Sequence, residues 1–164
     1  MPLKNGFSVA WSPDGKTLAG GSWLGAGGKF TGTGQLVFWK WRGRERLTVP
    51  IERHPEVRDV EFSPDGRWLA VAAGLMTSTQ PEHLSGEILL WDVKRRRLQL
   101  TLMFFPPRGT AGGEGDWLAF TPDGFYDASR GGEERIRWQV GKEVHEPARF
   151  RPEFRRPDKL LSSP

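Results

Sequence analysis

Short apolar runs with a period of two mark this chain, and turn-forming residues interrupt them in a recurring order. Phe7-Ser8-Val9-Ala10-Trp11 leads through Ser12-Pro13-Asp14-Gly15 to Thr17-Leu18-Ala19-Gly20-Gly21-Ser22. The same order returns as Val57-Arg58-Asp59-Val60-Glu61-Phe62, Ser63-Pro64-Asp65-Gly66, Trp68-Leu69-Ala70-Val71-Ala72-Ala73. It returns once more as Trp117-Leu118-Ala119-Phe120, Thr121-Pro122-Asp123-Gly124, Phe125-Tyr126-Asp127-Ala128-Ser129. Alternation of this kind puts successive side chains on opposite faces of a strand. Pro-Asp-Gly supplies turn chemistry: Pro presets φ, Asp bonds the nearby backbone, and Gly accepts positive φ. Each unit therefore begins as a β-hairpin.

A third strand ending in Trp follows each hairpin: Gln35-Leu36-Val37-Phe38-Trp39-Lys40, Glu87-Ile88-Leu89-Leu90-Trp91-Asp92 and Arg135-Ile136-Arg137-Trp138-Gln139. In the first two units a basic turn then leads to a fourth strand, Glu45-Arg46-Leu47-Thr48-Val49 and Leu98-Gln99-Leu100-Thr101-Leu102. Four antiparallel strands joined in sequence make a propeller blade. Ser12 and Ser63 are 51 positions apart, and Trp39 and Trp91 are 52 apart. A blade repeat of roughly 40–45 residues with a short insertion fits that step. Eight Trp against one Tyr, with 21 Gly and 13 Pro, suits short strands, many turns and an all-β fold.

The stretch Phe62-Ser63-Pro64-Asp65-Gly66-Arg67-Trp68-Leu69-Ala70, followed by Ile88-Leu89-Leu90-Trp91-Asp92, resembles a WD40 repeat. In the first unit Trp39-Lys40 stands where that family has Trp-Asp, and in the third only 15 positions separate Asp123 from Trp138. The resemblance implies two full blades and one partial blade over 1–143, at about 6–55, 56–105 and 114–141, and then a Pro/Arg-rich extended tail over 144–164. The family's Gly-His pair is reduced to His54-Pro55. Its turn Asp between second and third strands is absent from the first two units, where the longer loops 23–34 and 75–86 stand. The buried Asp–His–Ser–Trp network of the family is therefore not carried over. Residues 117–138 and the tail 150–160 also resemble a segment of bacterial proteins that join WD40 repeats to a caspase-like peptidase domain.

The absence of Cys excludes thiol nucleophiles, disulfides and cysteine-ligated metals, and so excludes peptidase chemistry of the caspase type. It also fits a cytoplasmic protein. The start, Met1-Pro2-Leu3-Lys4-Asn5-Gly6, does not read as a signal peptide, and no apolar run is long enough to span a bilayer. His54, His83 and His145 are scattered, Ser12 and Ser63 precede turns without a base, and the Asp-Gly turns lack calcium-loop spacing. In the loop 25–34 Lys29 is followed by Phe30, not Ser or Thr, so it is no phosphate loop. No metal, cofactor or enzymatic activity is expected.

A net charge of +4 comes mainly from Arg at turns and in the tail. Arg42-Gly43-Arg44-Glu45-Arg46 and Lys94-Arg95-Arg96-Arg97 both fall between third and fourth strands, so neighbouring blades should bring them onto one rim. There they solvate turns, or hold nucleic acid or an acidic protein surface. The Trp residues near them are assigned to blade packing, which leaves no stacking platform. Trp23 lies in an insertion and serves as an aromatic anchor, with Trp41 a weaker candidate. The candidate contact residues are Trp23, Lys29, Phe30, His83, Arg44, Arg46, Arg95, Arg96 and Arg97. Two blades and a partial third do not close a ring of 4–8, so the open ends call for a protein partner or self-association. The leading expectation is a non-catalytic protein-interaction scaffold. An accessory part of a caspase-like peptidase system and a basic nucleic-acid-binding module are the alternatives.

Overall fold

The computed structural model describes residues 6–22, 34–43, 45–51, 56–74, 86–106 and 115–161, without the side chain of Phe7. The chain divides into two compact units, Met1–Arg97 and Leu98–Pro164.

The first unit holds the repeat. Strands β1 (Gly6–Trp11), β2 (Thr17–Ser22), β3 (Gly34–Lys40) and β4 (Arg46–Ile51) form an antiparallel sheet in chain order. Strands β5 (Val57–Phe62), β6 (Trp68–Gly74) and β7 (Gly86–Asp92) pair the same way. The two Pro-Asp-Gly turns are built alike. Thr17 donates its N–H to Ser12 Oγ at 2.9 Å, and Trp68 donates to Ser63 Oγ at 2.9 Å. Ser12 Oγ in turn donates to Asp14 at 2.7 Å, and Ser63 Oγ to Asp65 at 2.6 Å. Gly15 and Gly66 take φ of +65° and +69°, which only Gly adopts at little steric cost. The hydroxyls of Ser12 and Ser63 are turn staples.

Register places Leu18 opposite Trp11 and Trp39, and Leu69 opposite Phe62 and Trp91. Ala19, Leu36 and Val37 are buried in the first sheet, and Val60, Phe62, Leu69, Val71, Leu89 and Trp91 around the second three strands. Each large aliphatic side chain so buried contributes about 1.5–3 kcal/mol. β1 lies against β5, where Ser8 Oγ donates to Asp59 Oδ1 at 2.6 Å. Gly21 faces Val57 so closely that a Cβ there would collide with the valine side chain. The close approach of the two sheets thus depends on that glycine.

The second unit opens with β8 (Arg97–Phe105), whose residues Thr101–Phe105 pair with β9 (Asp116–Phe120). β9 in turn pairs with β10 (Tyr126–Ala128) across the third Pro-Asp-Gly turn, where Gly124 has φ of +88°. A one-turn helix α1 (Arg130–Glu133) follows, N-capped by Ser129, whose Oγ accepts from Gly132 N at 3.1 Å. Trp138, expected in a third blade strand, instead belongs to a two-stranded ribbon, β11 (Trp138–Val140) and β12 (Glu143–His145).

The tail over 144–164 was expected to be extended. As far as residue 161 it is instead folded into a 3₁₀ turn at Pro147–Arg149, the short helix α2 (Arg151–Phe154) and a 3₁₀ turn at Pro157–Lys159. Aromatic packing and backbone bonds help to hold it. Phe150 and Phe154 pack on Trp138, with ring centroids 5.2 and 4.6 Å away. Arg156 also donates its N–H to the Tyr126 carbonyl at 3.0 Å, beside a bridge between Tyr126 and Arg155. Leu118, Tyr126 and Ala128 form the centre of this unit's core, flanked by Met103, Phe105, Phe120, Ile136, Trp138 and Phe154.

Candidate interaction surface

The rim predicted from the two basic turns exists within the first unit. Arg96 Nη2 donates to Glu45 Oε1 at 2.8 Å, linking the turn after β7 to the turn before β4. Glu45 also takes Lys40 Nζ at 2.6 Å. These two bonds, that of Lys40 first, hold the Glu45 carboxyl down at about 2. Arg95 binds Asp92 through both its backbone N–H and its guanidinium, each at 2.7 Å. Burial pulls the Asp92 carboxyl upward, but the Arg95 bonds outweigh it and the net shift is down. Arg46 stands 5.4 Å over the Trp39 ring, and Arg97 is exposed at the start of β8. Much of the basic character of this rim is therefore met internally. The small cleft it encloses, about 90 Å³, is lined by Thr17, Phe38, Lys40, Glu45 and Arg96 among others. Trp23, Lys29, Phe30, Arg44 and His83 lie outside the described residues, as do most of the loops 23–34 and 75–86.

The more distinctive surface lies next to this rim, where the sequence pattern does not mark it. The pattern makes Trp11 a strand residue and Trp41 a weak anchor, with the local Trp residues in blade packing. Trp41 is in fact 66% exposed and Trp11 48% exposed, with ring centroids 5.3 Å apart and planes at 80°. Trp41 donates its N–H to the Lys16 carbonyl at 2.9 Å, which ties its turn to the Ser12–Asp14 turn. A cleft of about 750 Å³ opens beside it, lined by Asp14, Lys16, Lys40, Trp41 and Arg42 among others.

The repeat itself shows what is unusual here. Val9 and Trp11 correspond to Val60 and Phe62, 51 positions on. Val60 and Phe62 are 4% and 8% exposed, whereas Val9 is 62% exposed. Trp41 corresponds to Val93, whose N–H makes the same backbone bond, to the Arg67 carbonyl at 3.0 Å. Lys40 corresponds to Asp92. One backbone frame thus carries a buried valine and phenylalanine in the second blade and an open tryptophan corner in the first. The signal available in sequence was the pairing of Trp41 with the turn around Lys16, which the repeat register implies once both turns are aligned.

A second polar cluster lies in the second unit. The buried Glu133 carboxylate accepts from Tyr126 Oη at 2.8 Å, Arg151 Nε at 2.7 Å, Arg151 Nη2 at 3.0 Å and Arg155 Nη1 at 3.3 Å. Arg155 also reaches Asp127 at 3.2 Å and the Ala128 carbonyl at 3.1 Å. Arg151 above all holds the Glu133 carboxyl below its ordinary value. Burial, then the neighbouring Glu133, pushes the Tyr126 hydroxyl up to about 12. With both oxygens of Glu133 engaged, the cluster locks the tail. Among the described residues no group of three or more His, Asp and Glu side chains is placed to hold a metal ion, and no helix is long and apolar enough to cross a membrane.

Residues 45–92 match the family described as WD domain, G-beta repeat. That span runs from the turn before β4 through β7. The sequence repeat is therefore staggered against the sheets, taking the last strand of one blade with three strands of the next. Residues 45–92 are thus similar to a WD40 repeat, within an all-β frame of WD40-like blades. Among solved structures, the chain is similar to the tricorn protease, at 10% identity and a TM-score of 0.46 over 74% of this chain and 14% of that one. It is also similar to the acylaminoacyl peptidase of Pyrococcus horikoshii, at 13% identity and a TM-score of 0.45 over 77% of this chain and 25% of that one. The chain thus spans a quarter or less of the length of those proteins. No curated protein matches it in sequence.

Proposed function

We propose that the chain works as a non-catalytic protein-interaction scaffold, presenting the outer face of its first blade to a protein partner. The observation that carries this reading is the exposure of Val9, Trp11 and Trp41 at positions whose repeat equivalents are Val60, Phe62 and Val93. A large aromatic pair held open in this way is the kind of anchor on which interfaces concentrate their energy. The candidate contacts Trp23, Lys29, Phe30, His83 and Arg44 belong to the same reading on sequence alone, together with Arg46, Arg95, Arg96 and Arg97 of the basic turns. A cytoplasmic setting accords with the absence of Cys.

Site-specific photo-cross-linking in the cell of origin tests it. A benzophenone side chain replaces Trp41 in one chain and Val140, an exposed residue of the second unit, in another. The reading expects a discrete protein adduct from position 41 that position 140 does not give. Equal labelling from both positions, or adducts to nucleic acid alone, would contradict it.

A further inference from the structure

We propose that the Trp11–Trp41 corner is the docking site for an acidic segment of a partner protein that lays one branched or aromatic side chain against the two rings. The proposal rests on the scaffold reading and specifies its place and chemistry.

Rigidity comes first. The bond from Trp41 N to the Lys16 carbonyl and the Ser12–Asp14–Thr17 staple fix the corner before anything binds. A site ordered in advance loses less entropy on binding. Shape comes second. The rings meet edge to face, with centroids 5.3 Å apart and planes at 80°, so together they form a stepped aromatic surface against which a single bulky side chain rests. They do not present two parallel faces to successive bases, as a single-strand nucleic-acid platform does.

Charge favours an acidic partner. The exposed cations Lys16, Lys40 and Arg42 line the cleft against one carboxylate, Asp14. Asp14 is already committed to Ser12 and the Lys16 backbone. Lys40 pairs with Glu45 at 2.6 Å with both side chains about half exposed, and Lys16 approaches Asp14 only at 3.8 Å. Such exposed pairs are weak and exchange readily for a partner's carboxylates. A second copy of this chain is a poor occupant in a two-fold contact, since the three cations would face their own images.

The repeat supplies the fourth argument. In the second blade the equivalent of Lys40 is Asp92, buried and bonded to Arg95, and that of Trp41 is Val93. Aromatic ring and cation enter the same turn together, in the first blade alone of these two.

Binding of the full chain to fluorescent twelve-residue peptides tests the proposal by anisotropy. The probes are glutamates around a central Leu or Phe, the same peptide with a central Gly, a lysine counterpart, and a twenty-nucleotide oligo-dT. The acidic Leu and Phe peptides are expected to bind best. Each of Trp41→Ala and Arg42→Glu should weaken them about tenfold or more, and so should added salt. Arg42 is exposed in a turn, so its variant reports even if the tryptophan variant folds poorly. Acidic-peptide binding untouched by both variants would overturn the location and leave the scaffold reading in place. Equal binding of the lysine or Gly peptides would overturn the chemistry. Stronger binding of oligo-dT, lost in the same variants, would assign the corner to nucleic acid. No peptide binding at all would overturn the proposal, and the adduct from position 41 would then decide separately whether the scaffold reading survives.

Discussion

The two units of this chain are held by different means. The first is written in a repeat. The Ser-Pro-Asp-Gly staple recurs bond for bond, the same backbone link ties Trp41 to Lys16 and Val93 to Arg67, and successive strands pair in chain order. The second depends on particular side chains far apart in sequence. Glu133 is gripped by Arg151 and Arg155, and Trp138 is covered by Phe150 and Phe154. In the first unit local turn chemistry sets the frame and leaves outward side chains free to differ, which is how one blade comes to carry an open corner. In the second the side chains are the frame, so a single substitution there should be felt more.

The largest effect should follow Glu133→Ala. It strands the Tyr126 hydroxyl and removes the shared acceptor of two half-exposed guanidinium groups. Loss of bonds to a charged acceptor, discounted for the exposure of the arginines, costs about 2 kcal/mol. Chemical denaturation followed by hydrogen exchange in residues 116–160 checks this, and an equal loss of protection in β1–β4 would break the contrast between units. The same group predicts acid sensitivity. Its carboxyl is held below the ordinary 4.5, so its contribution is fully present above that pH and is lost as pH falls through the lowered folded value. Glu133→Gln should flatten that fall in the second unit.

Within the first unit, the strongest single test is Gly21→Ala. The new methyl meets the Val57 side chain, and forcing the sheets apart costs about 1–3 kcal/mol. Thermal unfolding measures it, and an unchanged midpoint would mean that β2 and β5 are not packed as described. Ser12→Ala and Ser63→Ala come next. Each removes a hydroxyl that accepts from a backbone N–H and donates to an Asp, at about 1 kcal/mol. The account expects the two losses to match, and a large difference would show that the turns are not equivalent. The smallest effect is at Arg96, a non-glycine residue with φ of +56°. Arg96→Gly relieves about 1 kcal/mol of backbone strain while giving up an exposed ion pair to Glu45, so stability should rise slightly or hold.

How much of this was legible in sequence follows the same division. The hairpins, the Trp-ending third strands of the first two units and the meeting of the two basic turns could be read, because a short motif at a fixed offset encodes each. The corner could not, because burial is a property of what covers a side chain. Trp11 and Phe62 occupy equivalent places in the pattern, yet one is open and the other buried. Nor could the tail. Arg151 and Arg155 read as solvated charges, and only the fold brings them to a glutamate 18 and 22 residues earlier. Likewise Trp138 has the spacing of a blade residue, while its partners Phe150 and Phe154 lie beyond the repeat.

The central claim is that one repeat frame leaves Val9 and Trp11 open beside Trp41 in the first blade and buries their equivalents Val60 and Phe62 in the second. Hydroxyl-radical footprinting with mass spectrometry tests it most directly, at a dilution where light scattering gives the mass of a single chain. The account predicts rapid oxidation of Trp11 and Trp41, with Phe62 and Trp91 strongly protected. Protection of Trp11 and Trp41 to the level of Phe62 and Trp91 would contradict it.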